Sequence, residues 1–134
     1  GASEEQTTTL RRYARALGVA FQISDDIIDI ASTDSGKTPG TDLREGIKTL
    51  PMLYTVADPS ADPELVRLLA GPIHDDADVA RAVELLRVAP GLGRARATLD
   101  EYAAVARAEL ALLPDLPEVR ALDALTTFVV ERTR

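Results

Sequence analysis

Apolar residues recur at helical spacing along most of the chain, and no stretch alternates apolar and polar positions as a half-buried strand would. Ser3 followed by Gln6 has the form of a capping box, and an apolar pattern then runs to about Ala31. Residues 32–41 are dense in turn formers and read as a loop. Thr49-Leu50-Pro51 predicts a second helix, with Thr49 as N-cap and Pro51 in the first turn, continuing through Met52, Leu53, Tyr54 and Val56 to Pro59. A short helix over 62–70 is opened by Pro63 and closed by Gly71. Another over 76–89 puts Val79, Val83 and Leu86 on one face and stops at Pro90-Gly91. Leu99, Tyr102, Ala106, Leu110 and Leu113 stripe a longer helix that ends before Pro114. Asp115-Leu116-Pro117-Glu118 reads as a capping-box start for a last helix, with Leu122, Leu125 and Val129 inward. With no internal repeat and no dividing linker, the expectation is a single all-α segment over 1–134.

Composition narrows the partners more than the fold. The 134 residues are 46% hydrophobic and 28% charged, ordinary values for a soluble globular chain. A net charge of −7 argues against a nucleic-acid partner, which needs a basic face. It leaves an anionic substrate open, because a metal ion can bridge carboxylates to phosphates. There is no cysteine, hence no disulfide framework and no thiolate metal site. No signal peptide is evident, and no apolar run reaches the roughly 20 residues of a membrane span. The expected location is cytoplasmic. The chain opens on Gly1-Ala2-Ser3 rather than Met and turns helical almost at once, so it reads as cut from something longer.

The densest chemical signal is Phe21-Gln22-Ile23-Ser24-Asp25-Asp26-Ile27-Ile28-Asp29. On a helix, Gln22, Asp25, Asp26 and Asp29 stand at i, i+3, i+4 and i+7 and share one face. Like charges at such spacing cost about a few tenths of a kcal/mol per pair. They also lie near the helix C-terminus, where negative charge is unfavourable. A divalent cation would resolve the conflict, and hard oxygen ligands suit Mg²⁺. The bland alternative is a solvated acidic face. Against it, Phe21, Ile23, Ile27, Ile28 and Ile30 flank the acids with little other polar content, so the acids are expected to line a cavity.

Gly36-Lys37-Thr38 invites a phosphate-loop reading, but that pattern needs Gly at position 31, which is Ala31, and Pro39 follows the Thr. Lys37 can still reach a metal-bound diphosphate as a point charge. His74-Asp75-Asp76-Ala77-Asp78 reads as helix-capping acids rather than a metal site. Arg11, Arg12 and Arg15 read as a solvated stripe.

Taken together, Gly18-Val19-Ala20-Phe21-Gln22, Asp25-Asp26-Ile27-Ile28-Asp29, Gly36-Lys37, Gly40, Asp42-Leu43, Gly46 and Thr49-Leu50-Pro51 resemble the second aspartate-rich region of trans-isoprenyl (polyprenyl) diphosphate synthases. Class I terpene cyclases also carry a DDxxD but lack this continuation. The resemblance implies an all-helical bundle of the isoprenoid synthase type. It also implies Mg²⁺-dependent prenyl transfer, in which an allylic diphosphate ionises and condenses with isopentenyl diphosphate. Carried onto this chain, it makes Asp25 a catalytic metal ligand with Asp26 and Asp29 in support. Lys37 becomes the catalytic cation on the departing diphosphate, and Phe21 and Gln22 borders of the isopentenyl diphosphate pocket. Arg132, in the closing Phe128-Val129-Val130-Glu131-Arg132, is implied to approach the homoallylic diphosphate. The family often places a lysine two residues before the Thr of Thr-Leu-Pro; here that position is Ile47, and Lys48 is one step out of register as a weaker diphosphate contact. A homodimer, with contact to a membrane surface for release of a lipid product, is implied as well. A first aspartate motif is missing. The chain is therefore expected to be the C-terminal part of a synthase, inactive alone, or a non-catalytic helical partner of a chain that supplies that motif.

Overall fold

A computed structural model describes residues 2–32 and 39–134. Among these residues there are seven helices and no strands: α1 (Glu4–Ala31), α2 (Thr41–Glu45), α3 (Leu50–Ala57), α4 (Pro63–Leu68), α5 (Asp76–Val88), α6 (Pro90–Leu110) and α7 (Pro117–Glu131). They group into two compact units, one of Gly1–Ser24 with Ala97–Arg134 and one of Asp25–Arg96. Among the described residues no helix is long and apolar enough to cross a membrane.

The first unit is built on the face of α1 that carries Thr9, Tyr13, Ala16, Ala20 and Ile23, all buried and three or four residues apart. Tyr13 and Ala16 pack with Ala106 and Leu110 of α6, and Leu17, Leu113, Val119 and Leu122 close over them. The predicted box at the start of α1 forms reciprocally. The Ser3 amide donates to Gln6 Oε1 at 3.0 Å, and the Gln6 amide donates to Ser3 Oγ at 3.1 Å. Two expectations for α7 fail. Asp115 is bound to Arg120 at 2.6 Å, and the N-cap is Leu116 with no side-chain bond. Leu125 is 44% exposed, while Thr126, one residue on, is fully buried. The cause is Tyr13, whose buried hydroxyl sits 2.8 Å from the Leu122 carbonyl and 3.0 Å from Thr126 Oγ1. A phenol in an apolar core needs a polar partner, and that requirement turns α7.

The second unit has its own core of Ile30, Leu43, Met52, Leu65, Leu69, Ile73, Val79, Ala82, Val83 and Leu86. Asp62 caps α4 by accepting from the Glu64 amide at 2.8 Å, and Asp75 caps α5 by accepting from Ala77 at 2.7 Å. Helix α2 was not expected. It lies between Gly40 (φ 86°) and Gly46 (φ 73°), two left-handed positions that make its sequence read as a turn. Pro90-Gly91 does end α5, but it also opens α6, because proline is tolerated in a first helical turn. Gly91 brings the α6 backbone hard against α3. A Cβ there would lie 2.8 Å from the Pro51 carbonyl oxygen and 2.9 Å from the Thr55 amide nitrogen, and would overlap Thr55 Oγ1.

Candidate metal centre

The last two turns of α1 bury Ile23, Ile27 and Ile30 and leave the acids on the other side. Asp25 is exposed; Asp26 and Asp29 are half-buried. Asp29 and Asp26 have backbone donors. Asp29 accepts from the amides of Thr41 (3.3 Å, Oδ1) and Asp42 (3.4 Å, Oδ2) at the start of α2, and its carbonyl accepts from Gly40 at 3.2 Å. Asp26 Oδ2 accepts from the Leu50 amide, the first of α3, at 3.5 Å. The positive ends of α2 and α3 thus meet acids that the C-terminal end of α1 disfavours. Part of the conflict read from the sequence is resolved by protein dipoles rather than by an ion.

A fourth acid joins them. Asp42 has its carboxyl pushed above the ordinary range, first by burial and then by the charges of Asp29, Asp26, Glu45 and Asp25. Sequence reasoning quoted Asp42 within a motif but gave it no role, since no helix was expected there to set it beside the other acids. Asp42 thus lies in the repelling field of the three aspartates, and carboxylate oxygens are the donor type that suits a hard cation. Among the described residues no three His, Cys, Asp or Glu side chains are gathered as a ready-made cage. Mg²⁺ asks for less, since one or two carboxylates, water and phosphate oxygens complete its shell.

Lys37 lies outside the described residues. Lys48 donates from Nζ to the Leu69 carbonyl at the end of α4, where a cation satisfies a helix C-terminus. Arg132 stands with its guanidinium carbon 4.4 Å over the Phe21 ring and donates from Nε to Ser24 Oγ at 2.5 Å and from Nη2 to the Phe21 carbonyl at 3.3 Å. Phe21 is 46% exposed and borders an apolar groove of about 360 Å³ lined also by Leu17, Gly18, Leu125 and Val129. Gln22 is exposed on the same helix. The discounted segment behaves as capping acids should: Asp75 caps α5, and Asp76 pairs with Arg44 at 2.7 Å. Arg11, Arg12 and Arg15 are exposed.

A sequence profile described as polyprenyl synthetase matches residues 1–86. The chain is 54% identical over 135 residues to a nonaprenyl diphosphate synthase of Mycobacterium tuberculosis, covering 98% of this chain and 40% of the relative. It is 50% identical over 126 residues to a dimethylallyltranstransferase of the same organism, covering 93% and 38%. Among solved structures, a geranylgeranyl pyrophosphate synthase from Corynebacterium glutamicum, complexed with calcium and isoprenyl diphosphate, superposes with a TM-score of 0.88. That match has 42% identity and covers 99% of this chain and 42% of the other. The helical fold is therefore that of the isoprenoid synthases, and the chain spans about two fifths of the length of these relatives.

Proposed function

Because this chain belongs to the polyprenyl synthetase family, we propose that it forms the part of a prenyl diphosphate synthase that receives the departing diphosphate. In the whole protein an allylic diphosphate ionises at its C–O bond, the isopentenyl double bond attacks the allylic carbon, and a proton leaves. The observation that carries the reading is that Asp29 and Asp26 accept from the starts of α2 and α3, while Asp42 feels the charges of Asp29, Asp26 and Asp25. Mg²⁺, when bound, supplies the positive charge that stabilises the leaving diphosphate.

Asp25, the exposed member, is the direct metal ligand. Asp26 and Asp29 support it by holding α3 and α2, and Asp42 adds the fourth carboxylate. Lys37 neutralises the diphosphate as it departs. Phe21 and Gln22 border the isopentenyl diphosphate pocket, an assignment supported by the apolar groove beside Phe21. Lys48, bonded to Leu69, has the lesser role. The full protein acts as a cytoplasmic homodimer that delivers its product to a membrane surface, and this chain alone does not turn over. In the full-length protein, Asp25→Ala lowers kcat by about two orders of magnitude or more while circular dichroism stays unchanged. Near-normal turnover in saturating Mg²⁺ defeats the assignment. Lys37→Ala costs more turnover than Lys48→Ala; equal losses remove Lys37 from the leaving-group role.

A further inference from the structure

The geometry points to Arg132 as a positioning residue that fixes residues 21–24 of α1, the turn directly ahead of Asp25, against the end of α7. This rests on the functional reading above and gives Arg132 a different task from direct contact with a diphosphate.

Three features carry it. The guanidinium uses two nitrogens in a fork, Nε on Ser24 Oγ and Nη2 on the Phe21 carbonyl, while its plane covers the Phe21 ring. A planar, rigid group is suited to holding a hydroxyl, a carbonyl and a ring at once, and an ammonium is not. Ser24 is fully buried, so the Nε bond reaches the inner side of α1 rather than a mobile surface group. The segment that carries Arg132 is itself fastened. Thr133 is buried with its hydroxyl donating to the Val130 carbonyl at 2.8 Å, and Arg134 grips Asp100 of α6 with two contacts of 2.8 Å. A tail tied at three successive residues serves as a fixed support. Residues 21–24 lie on the same unbroken helix, α1, that carries Asp25, so the linkage acts on the element that bears that carboxylate.

The test uses the full-length protein with Arg132→Lys, Ser24→Ala and the double variant, with 4-fluorophenylalanine placed at position 21. Each single change is expected to lower kcat about tenfold, in line with losing a charge-assisted hydrogen bond. The double variant should be scarcely worse than either, since both remove one linkage, and the fluorine resonance should move in Arg132→Lys. Three results overturn the inference. One is an intact kcat with a raised KM in Arg132→Lys alone, which makes Arg132 a substrate contact. Another is a lowered melting temperature with unchanged kcat and KM, which makes the linkage purely stabilising. The third is a fluorine resonance indifferent to Arg132→Lys. If the unaltered protein turns over no prenyl diphosphate, the functional reading fails, and the fluorine signal still decides whether Arg132 holds the turn.

Discussion

The two ends of α1 are held in opposite ways. Its first turn is closed by residues three apart, Ser3 and Gln6, each answering the other's amide. Its last turns carry acids whose hydrogen-bond donors come from 12 to 24 residues further along, at the starts of two other helices. At the first end the capping box and the acids of the first turn agree with the helix. At the second, charge spacing and helix dipole both oppose it, and the structure answers with the N-termini of α2 and α3. An end that must be satisfied from elsewhere is where a ligand can be accommodated.

The contrast can be broken by mutation. The largest stability effect is expected at the acidic end: Asp29→Ala should cost about 2 kcal/mol in chemical denaturation of the full-length protein, because it strands two amides at the start of α2. It should lower turnover as well, whereas Asp26→Ala, which removes the 3.5 Å bond from the Leu50 amide, should cost about half as much stability. If Asp29→Ala leaves stability untouched, the α2 anchor is not real. At the other end, Ser3→Ala should cost about 1 kcal/mol or less and fray the first turn in hydrogen exchange, with kcat and KM unchanged. A kinetic effect there would erase the difference between the ends.

The smallest effect concerns charge. The Asp42 carboxyl is raised in the folded state, so the native protein binds its proton more tightly than the unfolded chain does. Its contribution is therefore most favourable below the unfolded value and is lost as pH rises through the folded one. Asp42→Asn should then raise the melting temperature slightly at neutral pH but not at acid pH, and added Mg²⁺ should reduce the gain. A gain that ignores both pH and Mg²⁺ would separate Asp42 from the other acids.

What the sequence disclosed follows the same division. Helices α1, α3, α4, α5 and α7 were legible from prolines, capping residues and apolar stripes, which act within a few positions. Helix α2 was not, because it has five residues and buries only Leu43 between two left-handed glycines. Leu125 was misassigned because the rotation of α7 is set by the Tyr13 hydroxyl, more than a hundred positions away. The face shared by Asp25, Asp26 and Asp29 could be read from their spacing. The division of labour among them could not, since it depends on which loop amides arrive. Asp42 was hidden for that reason, and Lys48 could be judged only once Leu69 stood beside it.

The crossing at Gly91 carries its own lesson about which changes this lineage can explore. Even a methyl group has no room there, so alanine, serine and aspartate should be rejected alike, by bulk and not by chemistry. A saturation library at that codon should return the starting residue alone, while Gly93, two positions on with open space around it, should accept many replacements.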